Sequence, residues 1–411
     1  MRDQTLRFAV RKFEPFEIAA QEMWDAFCQQ TGCTLKLEAV PMDLHPLQEA
    51  LLGSGGMKNG DWDVAHLNTD LIAEAHEAGA LLDLAPFIAK QPPDDFPQGW
   101  SESMLGFQQF GDAVVGLPFH DGPECLIYRT DLFEDADEQA AFKQQTGKDL
   151  APPKTWGDFL EVARFFQRPD QNLYGTIFAA YPDGHNTVFD LAIQVWTRGG
   201  ELVDDAGRVR VDSPAAAEGL AFYRDVLNDT SVVHPGCREM DSVQTGFAFA
   251  RGEVAMMVNW FGFAVMSEVT PDSAVQGKVN ITDIPALAPG LSASLNCYWM
   301  YTVGRGSPHA QIAYDFIRFA TTAANDKRLT LLGGTGCRKS SWHDGEVNAA
   351  VPYYHCLEPL HANARTLPRK GNWSELAHVI DALVVETIST DHSVHDILKS
   401  AQEKLDALQA D

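Results

Sequence analysis

Thr5-Leu6-Arg7-Phe8-Ala9-Val10, the run Glu14–Gln30, and Thr34-Leu35-Lys36-Leu37-Glu38-Ala39-Val40 follow one another near the head of this chain, and their order decides its fold class. The first is a short, mostly apolar run of strand character. The second repeats Phe16, Ala20, Met23 and Phe27 at helical spacing and stops at Gly32. The third alternates as a strand does. A helical Leu47–Leu52, the loop Gly53-Ser54-Gly55-Gly56, a strand Asp63-Val64-Ala65-His66-Leu67 and a helical Leu71–Gly79 continue the series. This β-α-β-α-β order predicts a parallel, doubly wound sheet with ligand loops at the carboxyl ends of its strands.

Further along, Gln91-Pro92-Pro93 to Pro97 and the turn Gly116-Leu117-Pro118 punctuate the chain, and new elements begin from Cys125. Pro152-Pro153-Lys154-Thr155-Trp156-Gly157-Asp158 reads as a helix start. Thr155 is placed to cap and Asp158 takes the third position of a capping box, ahead of an apolar face of Phe159, Val162, Ala163 and Phe166. Ser213-Pro214 opens another helix, through about Leu227. The last hundred or so residues read as mainly helical and close with Ile397–Leu408. No repeat or low-complexity stretch interrupts them.

The chain has 411 residues and a mass of 45.2 kDa, a length for roughly two to three domains. Hydrophobic residues make up 45% and charged residues 21%, enough apolar material for sizeable cores. A net charge of −26 repels phosphate backbones and anionic membranes, so nucleic acid is not an expected partner. Prolines, Arg251 and Glu253 break the most apolar stretches before they reach membrane-spanning length. The seven cysteines are odd in number and contain no C-x-x-C pair, which speaks against a zinc ribbon or dithiol site. Cys28 and Cys33 flank the Thr31-Gly32 turn, near enough in sequence to bridge. No apolar leader follows Met1-Arg2-Asp3-Gln4, so the chain reads either as cytosolic or as a mature form whose export signal has been removed.

Catalytic motifs fail on inspection. Gly333-Gly334-Thr335-Gly336-Cys337-Arg338-Lys339-Ser340 resembles a phosphate loop, but its lysine does not directly follow the last glycine. His355, Cys356, Glu358 and His361 bunch together, yet Pro359 interrupts the helix that would align them on a metal. Asp61/Asp63, Asp94/Asp95 and Asp204/Asp205 read as turn residues, and neither G-x-S-x-G nor H-E-x-x-H occurs. No catalytic residue, metal site or cofactor is expected. The aromatics Trp260, Phe261, Phe263, Tyr298, Trp299 and Tyr301 say more. They sit among small and polar residues at expected strand ends, where a flat ring covers the apolar face of a sugar.

Three segments together resemble the family 1 extracellular solute-binding proteins, the sugar-type receptors of bacterial ABC importers. Gly116-Leu117-Pro118 followed by Leu126-Ile127-Tyr128-Arg129-Thr130-Asp131-Leu132-Phe133 is similar to that family's crossover strand and Y-N-x-D-L-F segment, with Arg129 in the Asn place. Phe249-Ala250-Arg251-Gly252-Glu253-Val254-Ala255-Met256-Met257-Val258-Asn259-Trp260 is similar to its F-x-x-G-x-A-A-M signature. Pro153-Lys154-Thr155-Trp156-Gly157-Asp158-Phe159 resembles its P-x-T-W-x-E/D-F helix start. Gly79–Leu84, Gly199–Leu202 and Ala313–Phe319 add matches in family order, so the resemblance runs over almost the whole chain.

The resemblance implies a two-lobed α/β fold, each lobe a doubly wound sheet flanked by helices, with ligand taken in a cleft between them by hinge closure. It puts residues 1–118 and 261–306 in the N-terminal lobe, and 119–260 and 307–411 in the C-terminal lobe. Carried over position by position, the ligand-binding residues are Phe13 and Glu14; Asn68, Thr69 and Asp70; His120, Asp121 and Glu124; Tyr181, His185 and Asn186; Asn259 and Trp260; Trp299; and Arg338. Asn296-Cys297 departs from the family's Gly-Gly, and Cys337 from its proline. The implied protein is a monomeric, non-enzymatic carbohydrate or polyol receptor, periplasmic or at the cell surface, that meets the membrane subunits of an ABC importer. A cytosolic sensor of the same fold and a carbohydrate-active hydrolase are the alternatives.

Overall fold

The alternation of strand and helix survives in the computed structural model, which describes residues 4–410; the Met1-Arg2-Asp3 opening lies outside them. The chain folds as two compact units. The first takes the chain up to Gly122, then Cys297–Glu358 and Arg369–Gly371. The second takes Pro123–Asn296, Pro359–Pro368 and the chain from Asn372 on.

In the first unit the strands Lys36–Met42, Thr5–Arg11, Val64–Asn68, Trp299–Val303 and Leu117–His120 lie side by side in that order. Thr5–Arg11 runs parallel to both neighbours, with Thr5 opposite Lys36 and Phe8 opposite Val64. Trp299–Val303 is inserted antiparallel, with Trp299 opposite Asn68 on one side and His120 on the other. The expected all-parallel sheet is therefore mixed, because a late strand enters its middle.

The helix Glu14–Thr31 covers this sheet. Glu14 and Glu17 complement its amino-terminal dipole, and Gly32 closes it at φ 74°, a backbone angle that favours glycine. Its buried face, Phe16, Met23, Trp24 and Phe27, meets Leu6, Phe8 and Val10 of the strand and Phe316 of the helix Ala310–Ala320. Trp24 and Phe27 lie 5.1 and 5.8 Å from the Phe316 ring. Side chains of this size contribute about 1.5–3 kcal/mol each when buried. Cys28 and Cys33 lie at the end of this helix as neighbouring free thiols, not the local bridge the spacing allows.

In the second unit the order is Val279–Thr282, Glu124–Arg129, Val254–Trp260, Tyr174–Ile177. The first three alternate in direction and the last is parallel to its neighbour. Arg129, in the family's Asn place, forks onto Asp131 at 2.6 and 2.7 Å and reaches the Gly252 carbonyl at 3.2 Å. It thereby ties the first crossover segment to the F-x-x-G turn.

The helix Trp156–Phe166 starts as read, with the Thr155 hydroxyl accepting the Asp158 N–H. The Asp158 carboxylate takes the Thr155 hydroxyl proton in place of a capping-box backbone bond. The helix Asn186–Trp196 is buried at every residue, walled by Pro214–Asn228 and Trp373–Ser389. Seven of its eleven residues are apolar, and its buried Thr187, Asp190 and Gln194 are hydrogen-bonded, as burial of polar groups requires.

Two expected boundaries move. Residues 261–296 stay in the second unit because Val279–Thr282 pairs with Glu124–Arg129. Residues 307–358 join the first, because Ala310–Ala320 packs on Glu14–Thr31. Among the described residues no helix is long and apolar enough to cross a membrane.

Gly175 shows how tightly the second unit is layered. A β-carbon there would stand 2.0 Å from the Ala163 carbonyl oxygen of the covering helix. Neither backbone can yield cheaply, so Gly175→Ala is expected to cost about 3 kcal/mol in urea unfolding. A loss below about 1 kcal/mol would show that the helix rides more loosely on the sheet than this contact implies.

Candidate functional site

Register places the expected residues along one edge of each sheet. In the first unit Asn68 ends its strand, Trp299 opposite it begins the return strand, and His120 ends the next one. Phe13 and Glu14 follow the end of Thr5–Arg11 on the same edge. Trp299, Asn68, His120 and Phe13 are half-buried and Glu14 is exposed. Such a row joins an indole face to amide, imidazole and carboxylate groups.

Local bonds hold this row still. The Asn68 side-chain oxygen accepts the Asp70 N–H at 3.2 Å and the Cys297 thiol at 2.6 Å. The buried Thr69 hydroxyl accepts the Tyr298 N–H at 3.0 Å. Cys297, standing where the family has glycine, thus clamps the Asn68 loop to the return strand. His120 Nδ1 accepts the Thr335 N–H at 2.9 Å, and Asp121 donates its own N–H to the Thr335 carbonyl at 2.8 Å. Burial pushes the His120 imidazole down to about 4 against the pull of Asp121 and Thr335, so it is a neutral ring at physiological pH.

In the second unit Glu124 begins its strand opposite Trp260, which ends the neighbouring one. The loop after Tyr174–Ile177, a strand parallel to that neighbour, brings Tyr181, His185 and Asn186 to the same edge. Tyr181 is 47% exposed, a large aromatic left open to water. Asp183 shapes the loop by accepting the His185 and Asn186 N–H groups at 2.9 and 3.0 Å and the Asn186 amide at 2.6 Å. Trp260, half-buried, stands edge-on to Phe189 at 5.5 Å.

Two expected ligand residues have other work. Asn259 is buried, its amide donating to the Ser242 carbonyl and the Thr245 hydroxyl at 3.0 Å each, while its oxygen accepts the Trp260 N–H at 2.8 Å. It orients Trp260, and its amide hydrogens are engaged by Ser242 and Thr245. Arg338 is 1% exposed. Its guanidinium donates to the carbonyls of Thr321 and Asp94 at 3.0 Å and to the Asp95 carboxylate at 3.1 Å, over the Trp100 ring at 4.4 Å. The fork read as a grip on hydroxyls instead ties a loop to the core of the first unit.

Sequence reasoning passed over Asp190 and Tyr223. Asp190 lies inside the buried helix Asn186–Trp196 and accepts the Tyr223 phenol proton. Burial raises Asp190 to about 7, the Tyr223 bond pulling the other way. Burial, then Asp190 nearby, holds Glu124 well above the usual carboxylate range. The signal was present in the sequence: a carboxylate in an otherwise apolar run.

Two α/β units, each with polar and aromatic residues along one sheet edge, define a protein built to hold a small solute. The chain belongs to the bacterial extracellular solute-binding proteins, whose family profile matches residues 22–352. A probable ABC transporter-binding protein of Deinococcus radiodurans is 25% identical over 367 residues, 87% of this chain and 82% of its own length. The mannitol-binding protein of Pseudomonas aeruginosa is 23% identical over 67% of this chain and 66% of its own. A solute-binding protein of Agrobacterium radiobacter K84 solved with ribitol superposes with a TM-score of 0.85 at 22% identity, over 98% of each chain.

Proposed function

We propose that this chain is the substrate-binding protein of an ABC importer, taking a carbohydrate or polyol between its two units by hinge closure and presenting it outside the cytoplasm to the importer's membrane subunits. The observation that carries this reading is the paired register of Trp299 with Asn68 and His120 on one sheet edge and of Trp260 with Glu124 on the other. Each edge sets a half-buried indole beside groups that bond hydroxyls, the combination a sugar or polyol asks for. Phe13, Glu14, Thr69, Asp70, Asp121, Tyr181, His185 and Asn186 complete the proposed contacts and their supports. The mannitol-binding relative and the ribitol-bound and maltose-bound neighbours support the ligand class. Binding proteins throughout the comparisons support a receptor over an enzyme.

The test is a thermal-shift screen of mono-, di- and oligosaccharides, polyols and sugar acids, followed by intact mass of the best ligand after incubation. A ligand at a hundred times its Kd adds about 2.7 kcal/mol to the native state, a clear shift. A flat screen overturns the reading. A ligand that binds and is then cleaved returns the hydrolase.

A further inference from the structure

Glu124 is the anomaly of the second unit. It is 5% exposed, yet its carboxylate has no hydrogen bond or ion pair among the described residues. Three other deeply buried carboxylates, Asp63, Asp326 and Asp381, each accept hydrogen bonds. Asp63 accepts the Arg7 N–H at 2.8 Å and the Ser307 hydroxyl at 2.5 Å. Asp326 accepts the N–H groups of Cys337 and Arg338, and Asp381 accepts the Thr187 hydroxyl. Glu124 instead has a second acid near it, Asp190, whose own bond is to the Tyr223 phenol. No lysine or arginine among the described residues pairs with either one.

An unpaired buried carboxylate is costly, and an acid beside it raises the cost. The ligand-free chain meets that cost by keeping a proton on the pair. A bound cation would meet it better, and Trp260, opposite Glu124 in the ladder, adds a ring face that attracts positive charge.

Resting on the receptor reading above, we propose that Glu124 and Asp190 form a subsite for a protonated amine, so that the preferred solute is an amino sugar or amino polyol. The ammonium takes the place of the proton, donates to Glu124 and leaves the neighbouring hydroxyls to the rest of the edge. A net charge of −26 draws such a ligand in.

Isothermal titration at pH 7 of matched pairs tests this: glucose against glucosamine, sorbitol against 1-amino-1-deoxysorbitol, and cellobiose against the glucosamine dimer. A charge-assisted bond in place of a neutral one implies that the amine member of at least one pair binds about tenfold to a hundredfold tighter. Glu124→Gln, an isosteric change, is expected to bring that ratio close to one. Asp190→Asn serves as the second variant, because it keeps an acceptor for Tyr223. Neutral members that bind as tightly as their amines overturn the amine subsite and leave the sugar receptor standing. A ratio unchanged in both variants overturns the assignment to these two residues. No binding by any compound here or in the thermal-shift screen overturns both readings.

Discussion

Arg338→Ala is expected to lower the stability of the chain by about 3–5 kcal/mol, the scale on which breaking a buried charged cluster falls. The size of the effect comes from what the guanidinium satisfies. Its partner Asp95 has a side chain 76% exposed, so that ion pair is screened and contributes little. The Thr321 and Asp94 carbonyls lose a charged donor, and the Trp100 ring loses the cation over its face. Asp326 also loses a nearby positive charge. Cooperative melting should therefore fall by roughly 10 °C, given about 2–4 °C per kcal/mol for a unit of this size. Ligand affinity, measured well below the transition, is expected to stay within about threefold of the parent, as for a side chain that touches no ligand. A stable variant that has lost its ligand would return Arg338 to the binding site.

Arg338 also marks where reading the sequence stops. Residue type shows what a side chain can bond. It does not show whether backbone carbonyls already fill that capacity, and a guanidinium fork suits carbonyls as well as hydroxyls. Asn259 went the same way, its amide taken by Ser242 and Thr245. By contrast Asn68, His120, Glu124, Trp260 and Trp299, which the family resemblance pointed to, do stand at strand ends. The opening strand-helix series was legible in the residues themselves, because its elements follow from where an alternating or helical run begins or stops. What escaped was long-range pairing. Nothing local in Trp299–Val303 says that it runs antiparallel between Val64–Asn68 and Leu117–His120. Nor does anything in residues 261–296 name the sheet that Val279–Thr282 will join. Pairing between segments well over a hundred residues apart is chosen by the core, which a local pattern does not describe.

Raising the pH from about 4 to 7 is expected to destabilise the second unit, and Asp190→Asn should remove much of that loss. Asp190 is lifted from 3.8 to about 7 by burial, so across this window the folded chain keeps a proton that the unfolded chain releases. Stability falls with pH wherever the folded state holds more protons. The loss is absent below about 4, grows up to about 7 and is constant above. Three pH units at 1.36 kcal/mol each set an upper bound of about 4 kcal/mol, and about 2–4 is expected.

Other groups act in the same window: Asp326, His120 and His66 in the first unit and His234 in the second, burial lowering His66 and His234 so that both act in the sense of His120. Asp326, raised to about 6 chiefly by burial, acts in the same direction as Asp190. His120, lowered to about 4, acts in the opposite one, since its neutral folded form loses stability as pH falls from 6.5 toward 4. Glu124, raised by burial and by Asp190, has the sign of Asp190. Part of its rise comes from Asp190, so the variant relieves it as well. Asparagine keeps an oxygen for the Tyr223 phenol, leaving the packing of Asn186–Trp196 intact. Urea unfolding at half-unit steps from pH 4.5 to 7.5 reads the slope directly. If the parent and Asp190→Asn run parallel across that range, the proton does not reside on this pair, and the charge balance that makes Glu124 and Asp190 a place for a ligand's ammonium goes with it.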